Sequence, residues 1–341
     1  MEPVFEEKYP HEKGFSAYFA DNIAPILHGI EIKRHFTQKL YYGCWAFLIA
    51  VVILLYTQAL LRPDQQGTRD NPLGILWGGG FIALLVTSGI KMYFEYRYKN
   101  ILMPLIMGFF KDIRYNAKKG IDATALDKFV ILPTYNQQKS SDLIEVSGKY
   151  KSSCLQLKYE TGSGKNRTSR VTFDGLAILI DLPRPVSSPV ALKIEYGRLM
   201  NWLTSLGHSM KRVELVDPVF EKIYEVYSND QVEARRVLQP DVMELFLRLN
   251  FLFANWRHNL DELQEMTAKV MKNHNIEEVR DNRKTGFQAN FHDNNLLLLI
   301  SEPQAMFSPI SLNRSCYDLD GFRSVLYQAS LIDQICTALR R

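Results

Sequence analysis

Residues 40–61 read LYYGCWAFLIAVVILLYTQALL, and residues 71–90 read NPLGILWGGGFIALLVTSGI. Neither stretch contains a charged side chain. Lys39 and Arg62 bound the first, and Asp70 and Lys91 bound the second. A helix needs roughly 20 apolar residues to cross a hydrocarbon core about 30 Å thick, and in lipid a helix satisfies its own backbone hydrogen bonds. Two transmembrane helices are therefore predicted, over 40–61 and 71–92. The first stretch lies too far into the chain, and is too long, to be the apolar region of a cleavable signal peptide. It also lacks a small-residue cleavage site. A pair of buried core helices is the remaining alternative, and core helices seldom stay uncharged over such a length.

Residues 62–70, RPDQQGTRD, form a short polar connection and make the pair a helical hairpin with an external turn. The turn carries Arg62 and Arg69. Lys33, Arg34 and Lys39 precede the first helix, and Lys91, Arg97, Lys99, Lys111, Arg114, Lys118 and Lys119 follow the second. Excess Lys and Arg marks the cytoplasmic side, so both termini are predicted to be cytoplasmic. Those seven following cations are the predicted membrane-surface contacts, facing anionic headgroups. Tyr41, Tyr42, Trp45, Tyr93, Phe94, Tyr96 and Tyr98 form an aromatic belt at the same interface. Gly78, Gly79, Gly80, Ser88 and Gly89 allow close helix approach, either inside the hairpin or in a homo-oligomer built on the second helix.

The flanking segments are also patterned. In residues 1–39, Phe15, Tyr18, Phe19, Ile23, Ile26, Leu27 and Ile30 recur at helical spacing. This predicts amphipathic helices packed on the soluble domain. Residues 93–124 form a basic and aromatic juxtamembrane segment. Within it ILMPLIMGFF (101–110) is too short to span and holds Pro104; it is placed in the interface or docked on the soluble domain.

Residues 125–341 read as a cytoplasmic α+β domain with a mainly antiparallel sheet and flanking helices. Strand-like runs lie at Phe129–Leu132 and Leu143–Val146. Alternation over 154–160, the loop TGSGKNRTS (161–169) and RVTFDGLAILIDL (170–182) predict a hairpin. The GSGK inside that loop is not a phosphate loop. Tyr159 stands where the pattern needs Gly, Asn166 where it needs Ser or Thr, and a strand follows instead of a helix. Further strands are predicted over Val190–Ile194, at Val213 and Leu215, over 287–291, and in LLLLIS (296–301). Helices are predicted over 199–206, 256–275 and 317–340. Asp230 and Glu233 have the spacing of a capping box, and Pro240 suits the first position of the helix after it.

The stretch RVELVDPVFEKIYEVYSNDQVEARRVLQPDVMELFLRL (212–249) resembles a bacterial family of uncharacterised membrane proteins, the domain-of-unknown-function family numbered 3137. The resemblance rests on Phe220, Tyr224, Val226, Tyr227, Ser228, Asp230, Gln231, Glu233, Ala234, Arg235, Pro240, Met243 and Glu244. TFDGLAILIDLP upstream and FQANFHDNNLLLLI downstream are similar to the family's pattern as well. The resemblance implies a bacterial inner-membrane protein with an N-terminal helix, two spans and a cytoplasmic domain. It implies no activity.

Little in the composition points to chemistry. A net charge of +4 is mild, and its surplus sits beside the predicted spans, so no nucleic-acid partner is expected. Cys44, Cys154, Cys316 and Cys336 make no CxxC pair. The seven histidines make neither HExxH nor an i,i+4 pair, and GxSxG and GxGxxG are missing. No metal and no cofactor is expected. Asp230, Glu233, Arg235 and Arg236 are the candidate partner or ligand site, since carboxylates beside guanidiniums can recognise a charged group. The function read from this is a membrane-anchored interaction or assembly module, with a lipid bilayer and a protein at the cytoplasmic face as partners. The alternative is an enzyme acting on a lipid or membrane-bound substrate.

Overall fold

The computed structural model describes residues 3–61, 72–194, 210–254, 287–301 and 307–340. The chain divides into two compact units. One comprises Met1–Phe109 and Phe307–Tyr327, and the other Phe110–Met306 and Gln328–Arg341. The fold is α+β, with eight helices and nine strands among the described residues.

In the first unit a short helix α1 (Phe15–Asn22) leads into α2 (Ala24–Leu61). The helix α3 (Pro72–Met107) packs against α2. Among the described residues one helix is long and apolar enough to cross a membrane, over Ala24–Leu54, and its most apolar stretch is wholly unburied. It supports association with a membrane. Pro104 does not end α3, which continues to Met107. Leu102, Met103, Ile106 and Met107 are buried there. The Tyr18 hydroxyl donates to the Leu105 carbonyl at 2.8 Å, and Phe109 meets Phe15 edge-on at 5.1 Å. The end of α3 is thus packed on α1. The aromatic partners of α1 include Phe5, Phe109 and Phe322, all in the same unit.

The second unit is built on one antiparallel sheet. Its strands are β1 (Arg114–Asn116), β2 (Gln137–Val146), β3 (Tyr150–Thr161), β4 (Thr168–Asp181), β5 (Val190–Ile194), β6 (Lys211–Val213), β7 (Tyr224–Ser228), β8 (Phe287–His292) and β9 (Asn295–Ser301). Their order is β1-β2-β3-β4-β9-β8-β5-β7-β6. On one face Leu155, Leu157, Ala177, Leu179, Ala191, Leu297 and Leu299 form a core with Ile121, Leu126, Phe129, Ile131 and Leu132. On the other, Ile178 lies beside Leu298 and Ile180 beside Leu296. Phe291 on that face reaches Phe246 of helix α7 (Pro240–Ala254), at 6.3 Å between rings. Strand β9 is central and buried on both faces, which explains its unbroken LLLLI.

The predicted β3–β4 hairpin forms, and Gly162 with φ +83° makes its turn. Two strand assignments are corrected. Phe129–Leu132 is no strand but an irregular plug over one sheet face; its apolar run reflects packing rather than pairing. Leu215 lies beyond the end of β6, at the approach to helix α5 (Pro218–Glu221). The predicted helices at 199–206 and 256–275 and the turn at 62–70 fall outside the described residues.

Candidate functional site

Strand β7 ends at Ser228, whose hydroxyl accepts from the Asp230 amide at 3.2 Å. Asp230 then caps helix α6 (Gln231–Val237), accepting from the amides of Val232 and Glu233 at 2.9 and 3.1 Å. The reciprocal half of the expected capping box does not form. Glu233 turns inward instead and is 7% exposed. It takes the Arg236 fork at 2.7 and 2.6 Å and the Ser187 amide at 2.9 Å. The hydrogen bonds from Arg236 outweigh burial and, with Ser187, hold the Glu233 carboxyl at about 2. Arg236 also reaches the Pro185 carbonyl at 3.4 Å, so this pair staples α6 to the loop after β4. Arg235 points elsewhere, to the Glu214 carbonyl at 3.4 Å. The structure therefore brings Glu233 and Arg236 together, uses Asp230 as the cap, and sends Arg235 to a different loop. Val216 and Val232 are strongly exposed, at 91% and 77%.

Arg236 also lines a cleft of about 230 Å³. Its other walls include Leu182, Arg184, Val186, Val242, Phe291 and Leu339. On the opposite side of β5, Lys193 is buried and stands across from Glu225 on β7. Burial lowers its amine to about 8, against the pull of Glu225. Glu225 accepts from the Tyr227 hydroxyl at 2.7 Å.

The densest polar cluster lies in the first unit, and the sequence reading missed it. Glu31 on α2 accepts a second fork, from Arg34, at 2.7 and 2.9 Å. It also accepts from the Cys316 amide at 2.8 Å and the Ser315 hydroxyl at 3.1 Å. Burial works to raise its pKa, but these hydrogen bonds prevail and set it at about 2. Burial and the bond to Glu31 push the Cys316 thiol up to about 12. Arg34 reaches on to the Leu312 carbonyl at 3.2 Å. Glu95 on α3 accepts from the Ser311 hydroxyl and the Leu312 amide at 3.1 and 3.2 Å. Fully buried Glu12 takes both nitrogen–oxygen contacts from Arg323 Nη1, the longer at 2.6 Å. Arg323 lies in the first turn of helix α8 (Asp320–Leu339). Three carboxylates thus clasp the 311–323 segment onto α2, α3 and the turn before α1. The available signal was positional: Glu31 and Arg34 share the helix face of Leu27 and Ile30, where charge is out of place unless buried and paired.

Of the expected membrane-surface cations, Lys91, Arg97 and Lys99 lie together on α3 in the first unit. Lys111, Arg114, Lys118 and Lys119 are exposed in the second.

Residues 171–257 match the model of a family described as a protein of unknown function, DUF3137. No curated protein matches the chain. One solved structure, that of the mycobacterial trehalose monomycolate transport factor A, TtfA, is similar over 71% of this chain and 95% of its own. The identity is 10% and the TM-score 0.29. A likeness that slight supports no inference.

Proposed function

We propose that the chain is a membrane-anchored interaction or assembly module of the bacterial inner membrane. In this reading α2 and α3 form a two-span hairpin with both termini cytoplasmic, and the sheet domain is presented to a protein partner on that side. One observation carries the reading. Phe47, Ile49, Ile53 and Leu54 on α2 are 56–70% exposed, and Phe81, Leu84, Leu85 and Val86 on α3 are 50–64% exposed. Consecutive exposed apolar residues on both helices form a surface that water disfavours by about 25 cal/mol per Å². Hydrocarbon accepts it without cost. The uncharged run from Lys39 to Arg62 supports the same reading, because it rises about 33 Å, enough to cross. Lys91, Arg97, Lys99, Lys111, Arg114, Lys118 and Lys119 set the orientation.

In this reading the partner surface comprises the exposed Val216 and Val232 with Arg235, which reaches the Glu214 carbonyl; Asp230, Glu233 and Arg236 hold α6 in position for it. A competing reading, an enzyme acting on a membrane-bound substrate, draws on the cleft beside Arg184 and Arg236. Affinity purification with Val232 replaced by a photo-crosslinking residue separates the two. A reproducible protein adduct supports the module, while turnover of a co-purified lipid with no adduct overturns it. The anchor is tested by alkaline washing of cell membranes, in which full-length protein released to the supernatant would refute it. A cysteine at Gln66 is expected to react with an impermeant maleimide from outside the inner membrane, and cysteines at either terminus are not.

A further inference from the structure

The membrane-proximal ends of α2 and α3 carry a surface of one sign. Over residues 32–61 and 72–100 the sole acidic residue is Glu95. Its carboxylate is turned onto Ser311 and Leu312, and Glu31 just below is taken by Arg34, Ser315 and Cys316. Arg34 is spent on that contact, with its side chain 6% exposed. Lys33, Lys39 and Arg97 remain exposed, with Lys91 partly so.

Leu312 ties the two helices together. Its carbonyl accepts from Arg34 and its amide donates to Glu95, so those two positions lie within side-chain reach of one residue. With a rise of 1.5 Å per residue, Lys39 and Lys91 stand about 6–8 Å nearer the uncharged stretches, and Phe36 and Tyr93 about 3 Å nearer. Lys33 and Arg97 lie about 2–3 Å on the far side. Phe36 and Tyr93 are 71% and 63% exposed, and the Tyr93 hydroxyl accepts from Arg97 at 3.0 Å. On each helix cations thus sit above and below an exposed aromatic over about 9 Å. That is close to the depth of a headgroup zone, where aromatic rings settle and Lys side chains extend to reach phosphates.

We propose that this collar of Lys33, Lys39, Lys91 and Arg97, with Phe36 and Tyr93, binds the phosphates of anionic phospholipids in preference to zwitterionic ones. A zwitterionic headgroup also brings an ammonium, and the collar offers it no carboxylate because the clasp has drawn Glu31 and Glu95 inward. The proposal rests on the membrane-anchored reading and adds a lipid preference to it.

The test uses the full chain reconstituted in phosphatidylcholine vesicles containing a minority of phosphatidylglycerol. After extraction in mild detergent, the retained lipid is measured by mass spectrometry. Phosphatidylglycerol is expected to be enriched about threefold or more over the bulk. The variant combining Lys33→Gln, Lys39→Gln, Lys91→Gln and Arg97→Gln is expected to return to the bulk ratio while still floating with the vesicles. Lys139→Gln with Lys149→Gln, exposed on the sheet and outside the membrane-facing cations, is expected to keep the enrichment. No enrichment in the unaltered chain overturns the proposal, as does enrichment that survives the four-site variant. A chain that never floats with vesicles refutes the anchor itself, a distinct result.

Discussion

The two units each contain a glutamate–arginine fork of the same local design. Glu31–Arg34 and Glu233–Arg236 are both spaced i,i+3, with charge contacts of 2.7 and 2.6 Å, and both carboxyls are held at about 2. Their surroundings differ. The Arg34 side chain is 6% exposed and that of Arg236 45%. Glu31 is further bonded to two residues of a segment nearly three hundred positions away, Ser315 and Cys316. Identical local geometry therefore serves two ends. One fork is a keystone whose loss strands a charge out of water, and the other is a surface staple that solvent can replace.

Buried thiols let each unit report on its own fork. Cys316 lies in the first unit and Cys336 in the second, and both are 1% exposed. In single-cysteine backgrounds at pH 8, alkylation proceeds through opening of the unit. The largest expected effect is that of Arg34→Ala. Leaving Glu31 buried without its partner costs about 3–5 kcal/mol, which raises Cys316 alkylation by about 100- to 3,000-fold. An unchanged rate would remove the distinction between the forks.

Acid comes next. Both glutamates have folded pKa values of about 2, below their ordinary 4.5. The stability they confer is full above pH 4.5 and is lost as pH falls through 2. Calorimetry in detergent should show the melting midpoint falling across that window. Arg34→Ala with Glu31→Gln and Arg236→Ala with Glu233→Gln should each flatten part of the fall, and by similar amounts, because the two carboxyls shift between the same values. A smaller effect is expected of Glu233→Gln, which keeps an acceptor for Ser187 but gives up the charged fork. It should cost about 1.5 kcal/mol, read as a roughly tenfold rise in Cys336 alkylation. The smallest belongs to Arg236→Ala. An exposed guanidinium contributes at most about 1 kcal/mol, so Cys336 should react no more than about fivefold faster. A larger change would place Arg236 with the buried class.

What the sequence revealed follows from how local each feature is. The apolar helix ending in the first uncharged stretch, the β3–β4 hairpin, the Asp230 cap and the closing helix α8 all depend on neighbours within a turn or a strand pair, and the structure contains each of them. The forks show the limit. E-x-x-R is written the same way at 31–34 and at 233–236, and nothing within the four residues says which guanidinium is covered. The cover for Arg34 comes from Leu312, a contact no periodicity announces. The spacing of Glu233 predicts a capping role, but the Arg236 fork and the Ser187 amide compete for the same oxygens and hold them. Phe129–Leu132 failed as a strand for a related reason. An apolar run announces burial, and burial alone does not distinguish a paired strand from a plug.

The first unit is assembled from both flanks of the sheet sequence, with Phe19 meeting Phe322 edge-on at 5.6 Å. A ribosome makes residue 19 some three hundred codons before residue 322. Throughout that interval the Phe19 ring lacks Phe322 and the Phe5 ring lacks the Arg323 guanidinium, and nascent chains stalled anywhere in the sheet keep that side of the aromatic cluster open. Chaperones and proteases that bind bare aromatic surface thereby gain a means of telling finished copies from interrupted ones.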